Sequence, residues 1–364
     1  MIGAWQRGLA LSGLICAAHT AQAQDDNVKT FHFGGQYHFN LFYSDDGLND
    51  AEAAGRTASQ RFGVNARAAK LVFKSGLAEN VDLMVRYSMT SNQLEYAYLD
   101  YKVNSALTLT VGRTKERIFG WHRRQTSSLT PVTAAYLSLK PFGYPDGVQA
   151  TYKLGNHKFL LQVVKDFFDC NGAQCDSWNE LDANGREKQK QPAILSEWIG
   201  TFGAIQPLVQ YASYDQGKSS TYTAGIRYNT QRFDVYGDYV VDNRVKRGVD
   251  AGQTRKEENV MTGYVVHGEW NQGKFTPFFH ISSFAYDEFT APGQTATEVN
   301  SAYTQFDDNN MTWGIGSHYN LVNEVFRPYV VLFSKSGDFV DPQDASKSKP
   351  MAEMQVVAGV TGNF

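Results

Sequence analysis

The residues best suited to chemistry lie in one run. After Thr110-Val111-Gly112-Arg113 the chain reads Thr114-Lys115-Glu116-Arg117-Ile118-Phe119-Gly120-Trp121-His122-Arg123-Arg124-Gln125-Thr126-Ser127-Ser128. Five of the residues from 114 to 128 are Lys, Arg or His, only Glu116 is acidic, and three hydroxyls close the run. Guanidinium groups present forked donors that suit phosphate or carboxylate, and hydroxyls can hydrogen-bond an anion that is shedding water. The indicated chemistry is anion recognition. Nucleophilic catalysis would need a Ser spaced to meet a His on the same surface. His32, His38, His267 and His318 have no such partner by position, so the chain does not read as an enzyme. A formal net charge of -3 gives no pull toward nucleic acid. No cofactor motif stands out, and no metal site is expected; the run Asp182-Ala183-Asn184-Gly185 reads as an ordinary turn. Cys170 and Cys175, closely spaced in a polar segment, suit a small loop disulfide in an oxidising compartment.

The elements that must position this run alternate with a period of two. Phe31, Phe33, Gly35, Tyr37, Phe39, Leu41 and Tyr43 share one face of a strand, and His32, Gln36, His38 and Asn40 the other. The same alternation recurs over 61–74, 81–89, 95–103, 107–115, 146–154, 158–167, 193–202, 205–214, 220–229, 233–242, 260–270, 275–284, 310–319, 325–334 and 351–364. Mean hydropathy is only -0.41, as expected when apolar and polar faces alternate. The fold class expected is all-β, a transmembrane antiparallel β-barrel of about sixteen strands. Short turns would face the periplasm and long loops at 44–60, 116–145, 168–192, 243–259, 285–309 and 335–350 the outside. Strand parity turns Arg67, Arg86, Arg227 and Arg327 toward the lumen, along with Asp82, Asp100, Asp234, Asp238 and Glu269, and the basic run adds Arg113, Lys115, Arg117, Arg123 and Arg124 as pore-lining candidates. Two readings stay open. The basic set either biases the pore toward anions, or meets lipopolysaccharide phosphates and balances the acids across a weakly selective pore.

The two ends of the chain frame this reading. Arg7, the apolar stretch from Gly8 to Ala18 and Ala21-Gln22-Ala23 form a signal-peptide pattern, so residues 1–23 are expected to be cleaved and 24–364 to form a single barrel domain. In the last strand Ala352, Met354, Val356, Ala358, Val360, Gly362 and Phe364 share one face. A strand of this kind ending on Phe364 resembles the terminal strand that the assembly machinery of bacterial outer-membrane proteins reads.

A closer resemblance rests on Ala97-Tyr98-Leu99-Asp100-Tyr101-Lys102-Val103 followed by Leu107-Thr108-Leu109-Thr110-Val111-Gly112-Arg113-Thr114-Lys115. This pair is similar to the strands before the constriction loop of Gram-negative porins, closest to the phosphate-selective type, with Gly112, Lys115, Ser127 and Ser128 carrying the match. The sequence departs from that type at Arg117-Ile118-Phe119-Gly120, which has no Pro before Phe-Gly. The resemblance implies passive diffusion of small hydrophilic solutes, possible preference for anions or phosphate, a constriction within 116–145, a homotrimer in the bacterial outer membrane, and no cofactor. The competing reading is an adhesin or receptor barrel acting through its long outer loops.

Overall fold

The computed structural model describes residues 30–45, 61–125, 144–165, 192–214, 219–250, 253–289, 307–322, 326–341 and 344–363. Sixteen antiparallel strands run in chain order: β1 (Thr30–Asp45), β2 (Arg61–Ala78), β3 (Val81–Ser88), β4 (Gln93–Lys102), β5 (Leu107–Arg113), β6 (Asp146–Leu154), β7 (His157–Val164) and β8 (Ala193–Gly200). β9 (Ile205–Tyr214), β10 (Ser219–Asn229), β11 (Phe233–Asp250), β12 (Gln253–Trp270), β13 (Phe275–Phe289), β14 (Asp307–Tyr319), β15 (Arg327–Asp341) and β16 (Asp344–Asn363) complete the sheet. Each strand pairs with its sequence neighbours, and β16 pairs with β1 to close the barrel. In that seam Phe39 faces Val360 and Leu41 faces Ala358. A single short helix, α1 (Gly120–Gln125), interrupts the described strands.

The pleat sorts the side chains. Val111, Ile226, Ile315 and Val330 are each more than half exposed, on the face where a membrane barrel meets lipid. Thr110 and Val331, next in sequence to Val111 and Val330, are buried on the inner face, as is His318 on β14. Among the described residues the inner wall from β7 to β13 is closely packed. Leu195, Leu208, Val240 and Val265 have no exposed surface there.

Two hairpins correct the sequence reading. Segments 243–259 and 335–350 were expected as long loops, yet β11 runs to Asp250 against Gln253 of β12, and β15 runs to Asp341 against Asp344 of β16. Strands of this length exceed the roughly ten residues that a tilted strand needs to cross a bilayer. Beyond the lipid nothing demands an apolar face. Backbone pairing therefore continues through Arg244, Lys246, Arg247 and Lys256 without the alternation that marks a spanning strand.

The parity rule also breaks at bulges. Between Arg86–Tyr96 and Tyr87–Leu94 the register skips Glu95. The extra residue turns inward and is buried, although simple alternation would aim it at lipid. A second shift pairs His38 with Ala68 and Phe39 with Ala66, which leaves Arg67 as the unpaired residue.

The next-to-last residue of β5 is Gly112, whose φ of 123° is open to glycine and strained for other residues. A Cβ there would meet the carbonyl oxygen of Ala97 on β4. Gly112→Ala is expected to lower the thermal unfolding midpoint in detergent more than Gly155→Ala. Gly155 also has a positive φ, but a Cβ there meets nothing within 4 Å. The cost at Gly112 should be about 1–3 kcal/mol, read as a lower temperature of the heat-induced shift in gel mobility.

Candidate functional site

The basic run leaves β5 and folds inward. Thr114, Glu116, Ile118, Phe119, Trp121, His122 and Arg123 are all buried. Ile118 and Phe119 join an apolar cluster with Val164, Leu195, Ala212, Val240 and Phe284, which lie on the inner faces of five strands. Burying two such side chains contributes several kcal/mol, at about 1.5–3 kcal/mol each. Phe119 and Gly120 have consecutive positive φ values of 70° and 73°, a turn that launches α1 from the wall. A positive φ is uncommon for a bulky residue and persists only where its surroundings hold it.

The wall answers the backbone of the run with side chains. Oε1 of Gln162 on β7 accepts the Arg117 N–H at 3.2 Å, and its Nε2 donates to the Thr114 hydroxyl and the Lys115 carbonyl, each at 3.2 Å. Oε1 of Gln210 on β9 accepts the Gly120 N–H at 2.8 Å. The Asp238 carboxylate on β11 accepts the N–H groups of Trp121 and His122 at 2.8 and 2.7 Å. These are amides that a helix start leaves without intrahelical partners. Gly120 and Gly225 give Asp238 its room, since a Cβ at either would run into the carboxylate. Trp121 Nε1 donates to the Gln206 carbonyl at 3.1 Å, and the Tyr214 hydroxyl donates to Glu116 at 2.8 Å.

Positive charge gathers around this seat. Arg124 binds Glu197 on β8, with Nε at 2.9 Å, while Gln210 donates to the same carboxylate at 2.8 Å. The bulged Glu95 forms ion pairs with Lys70 at 2.8 Å and Arg86 at 2.6 Å, and Arg86 lies 3.8 Å over the Tyr96 ring. Lys115 donates to the Arg123 carbonyl. Among the described residues neither Lys115 nor Arg117 pairs with a carboxylate. Burial, and then the charges of Arg123, Arg117, Arg86 and Arg124, hold the Lys115 ammonium well below the ordinary lysine range.

The residues expected to line a pore separate into groups. Lys115, Arg117, Arg123 and Arg124 come together with Arg86 across the lumen. Arg227 is held by Asp234 at 2.6–2.7 Å and lies 5.4 Å from the Trp121 ring. Arg327 sits at the other end of the barrel, donating to Asn320 at 2.7 Å. Arg113 is a correction. It follows the outward parity of Leu109 and Val111 at the strand end, and Asp146 takes both its Nε and Nη2 at 3.1 Å, which removes it from the basic cluster. The Arg67 side chain, Ser127, Ser128, Cys170, Cys175, Phe364, residues 1–23 and the rest of 116–145 beyond Gln125, except Tyr144 and Pro145, lie outside the described residues.

A family model described as Phosphate-selective porin O and P matches residues 36–321. The chain belongs to this family. It is an outer-membrane porin. No curated protein matches its sequence. Among solved structures, the outer membrane channel DcaP of Acinetobacter baumannii is similar at 14% identity, with 92% of this chain and 97% of that one covered and a TM-score of 0.57. An anion-selective porin from Comamonas acidovorans is similar at 11% identity, covering 92% and 99%, with a TM-score of 0.54. OmpT of Vibrio cholerae in its trimer form is similar at 9% identity, covering 91% and 99%, with a TM-score of 0.53. At these identities the likeness is one of fold.

Several groups that hold the porin's inner loop escaped the sequence reading. Gln162 and Gln210 are polar residues set between apolar neighbours, and Glu197 follows Ser196 and precedes Trp198, all in otherwise ordinary strands, so their partners could not be read from the chain. Asp238 was expected in the lumen as one of several acids, whereas its bonds go to two backbone amides. Asp238→Asn removes the charge that strengthens those bonds, each worth about 1.5–3 kcal/mol. Barrel closure should survive, because the strand ladder is untouched. Single-channel recordings of the variant should show larger and noisier open currents; a trace identical to the parent would contradict the anchoring role.

Proposed function

We propose that this porin is a passive pore biased toward anions, that the run from Thr114 to Gln125 forms its constriction, and that small solutes bearing phosphate or carboxylate are the favoured cargo. One observation carries the reading. Around the inward-folded run six cationic heads (Lys70, Arg86, Lys115, Arg117, Arg123 and Arg124) share a neighbourhood with three carboxylates, Glu95, Glu116 and Glu197. Each of those carboxylates is already engaged by a cation or a tyrosine hydroxyl. A passing anion then meets a surplus of positive charge in a confined space of lowered dielectric, where Coulomb energies exceed their values in bulk water. The family description and the similarity to a porin titled anion-selective support the same reading.

The rest of the proposal follows from sequence and family. Residues 1–23 act as a cleaved signal, Cys170 and Cys175 form a loop disulfide, and Phe364 presents the last strand to the assembly machinery. Basic groups at the outer rim meet lipopolysaccharide. The working form is a homotrimer, as one structurally similar protein is described. The protein carries no catalytic chemistry of its own.

A planar bilayer with a potassium chloride gradient tests the charge bias. The parent pore should give a reversal potential on the chloride side, and added phosphate should reduce the current. Lys115→Gln with Arg117→Gln should lower the chloride-to-potassium permeability ratio several-fold; an unchanged reversal potential would sink the assignment. The depressed pKa of Lys115 adds a pH signature. Its proton leaves at a lower pH than that of a free lysine. Chloride preference should therefore decline with rising pH over a range that lies below the ordinary lysine value, roughly 10.4. Lys115→Arg, which keeps its charge, should flatten that decline.

A further inference from the structure

Histidine is concentrated on one stretch of the inner wall. His267 on β12, His280 on β13, His318 on β14 and His38 on β1 are all buried, interleaved with Tyr236, Phe278 and Tyr329. Their rings form a continuous belt. Tyr236 and His267 lie 5.2 Å apart between centroids, His267 and Phe278 6.0 Å, Phe278 and His318 5.1 Å, His318 and Tyr329 5.6 Å, and Tyr329 and His38 5.4 Å. The inner loop adds a fifth imidazole at the end of this belt. His122 of α1 lies 5.1 Å from His280, which is itself 5.7 Å from His267. Its Nδ1 is 3.0 Å from the Tyr236 hydroxyl.

We propose that His122, His267 and His280 form a proton-released latch, which ties α1, seated on β9, β10 and β11, to β12 and β13 while the rings are neutral and frees it when they are protonated. Neutral imidazoles stack and fill the seat as aromatic rings do. Imidazolium ions five to six ångströms apart in a buried site repel one another. The effect on current rests on reading the loop as the constriction, but the release of α1 does not.

The surroundings of His122 fix the sign. From the loop it faces Lys115 and Arg123, from β12 His267 and from β13 His280. From β11 come the neutral Tyr236 hydroxyl and Asp238, whose carboxylate is occupied by backbone N–H groups. Glu269 lies 3.3 Å from Nε2 of His267. Protons on His122 and His280 would lie beside each other and beside His267, at ring separations of 5.1 and 5.7 Å. Nδ1 of His267 and of His280 has no hydrogen-bond partner among the described residues, so each can take a proton without breaking a bond. Burial, and then His280, His267, Lys115 and Arg123, hold His122 well below the usual histidine value. Once α1 is freed that value returns to about 6.5. The seated form therefore binds fewer protons than the freed one, and acid below about pH 6.5 favours release. Among the described residues no group of three or more His, Cys, Asp or Glu is placed to hold a metal ion.

Trp121, buried beside His122, reports the seat directly. Its contribution to emission is isolated by comparing the folded chain from Gln24 with its Trp121→Phe variant. Between about pH 7.5 and about pH 4.5 the Trp121 signal should shift to the red, and single-channel conductance should rise about twofold or more. Both changes should vanish in His122→Gln with His280→Gln and persist in His318→Gln. Should the double variant fail to assemble, His280→Gln alone must move the transition to lower pH, because one of three repelling charges is gone. A Trp121 signal that stays flat overturns the latch. So does a response that survives in the double variant, which would put the titration on Asp238. A histidine-dependent Trp121 shift without any change in current would support the latch and instead overturn the constriction.

Discussion

No backbone group can be left unpaired in lipid, and the rest of this protein depends on that constraint. A sheet satisfies it only by closing, so β16 must find β1 and the lipid-facing row must stay apolar. Closure leaves the inner face free of lipid's demands. It can carry Gln162, Gln210, Glu197 and Asp238, residues that would be costly on the outside. Those four side chains, together with Asp146 at the rim, divide the basic run. Arg113 is drawn to the outer edge, and the described residues from Thr114 to Gln125 are drawn inward.

The inward loop is held in two ways that differ in range and direction. Ile118 and Phe119 supply non-directional burial against five strands, enough to keep the run in the barrel. Gln162, Gln210 and Asp238 fix its orientation by accepting named N–H groups. Because backbone amides take up these acceptors, they do not offset the arginine and lysine heads, of which Arg124 is held by Glu197. Glu95 tempers the result. The bulge that turns it inward lets it bind Lys70 and Arg86 together. The local field is thus a small difference between many charges, which single substitutions can move.

Much of the barrel was legible in the chain, for a physical reason. A spanning strand must alternate, so Phe39 and Leu41 beside His38 and Asn40, or Val356 and Ala358 at the far end, announce their faces. The legibility stops where lipid stops. The β11–β12 and β15–β16 hairpins extend past the membrane with no alternation to mark them. It stops also at bulges, where one extra residue reverses parity, and Glu95 became a lumen residue that no period-two count could find. For the site, the sequence showed a basic run. It could not show that Arg113 would leave the cluster, that Asp238 would bind amides, or that His122 would meet His280 across about 160 residues of chain.

The most direct test of an inward basic loop is thiol modification during current recording. Arg117→Cys in a Cys170→Ser, Cys175→Ser background would be treated with a small anionic thiol reagent while a single pore is open. The expected result is a stepwise fall in current, together with a shift of the reversal potential toward potassium. Complete labelling of the cysteine with current and reversal potential unchanged would contradict the placement of this loop in the conducting path.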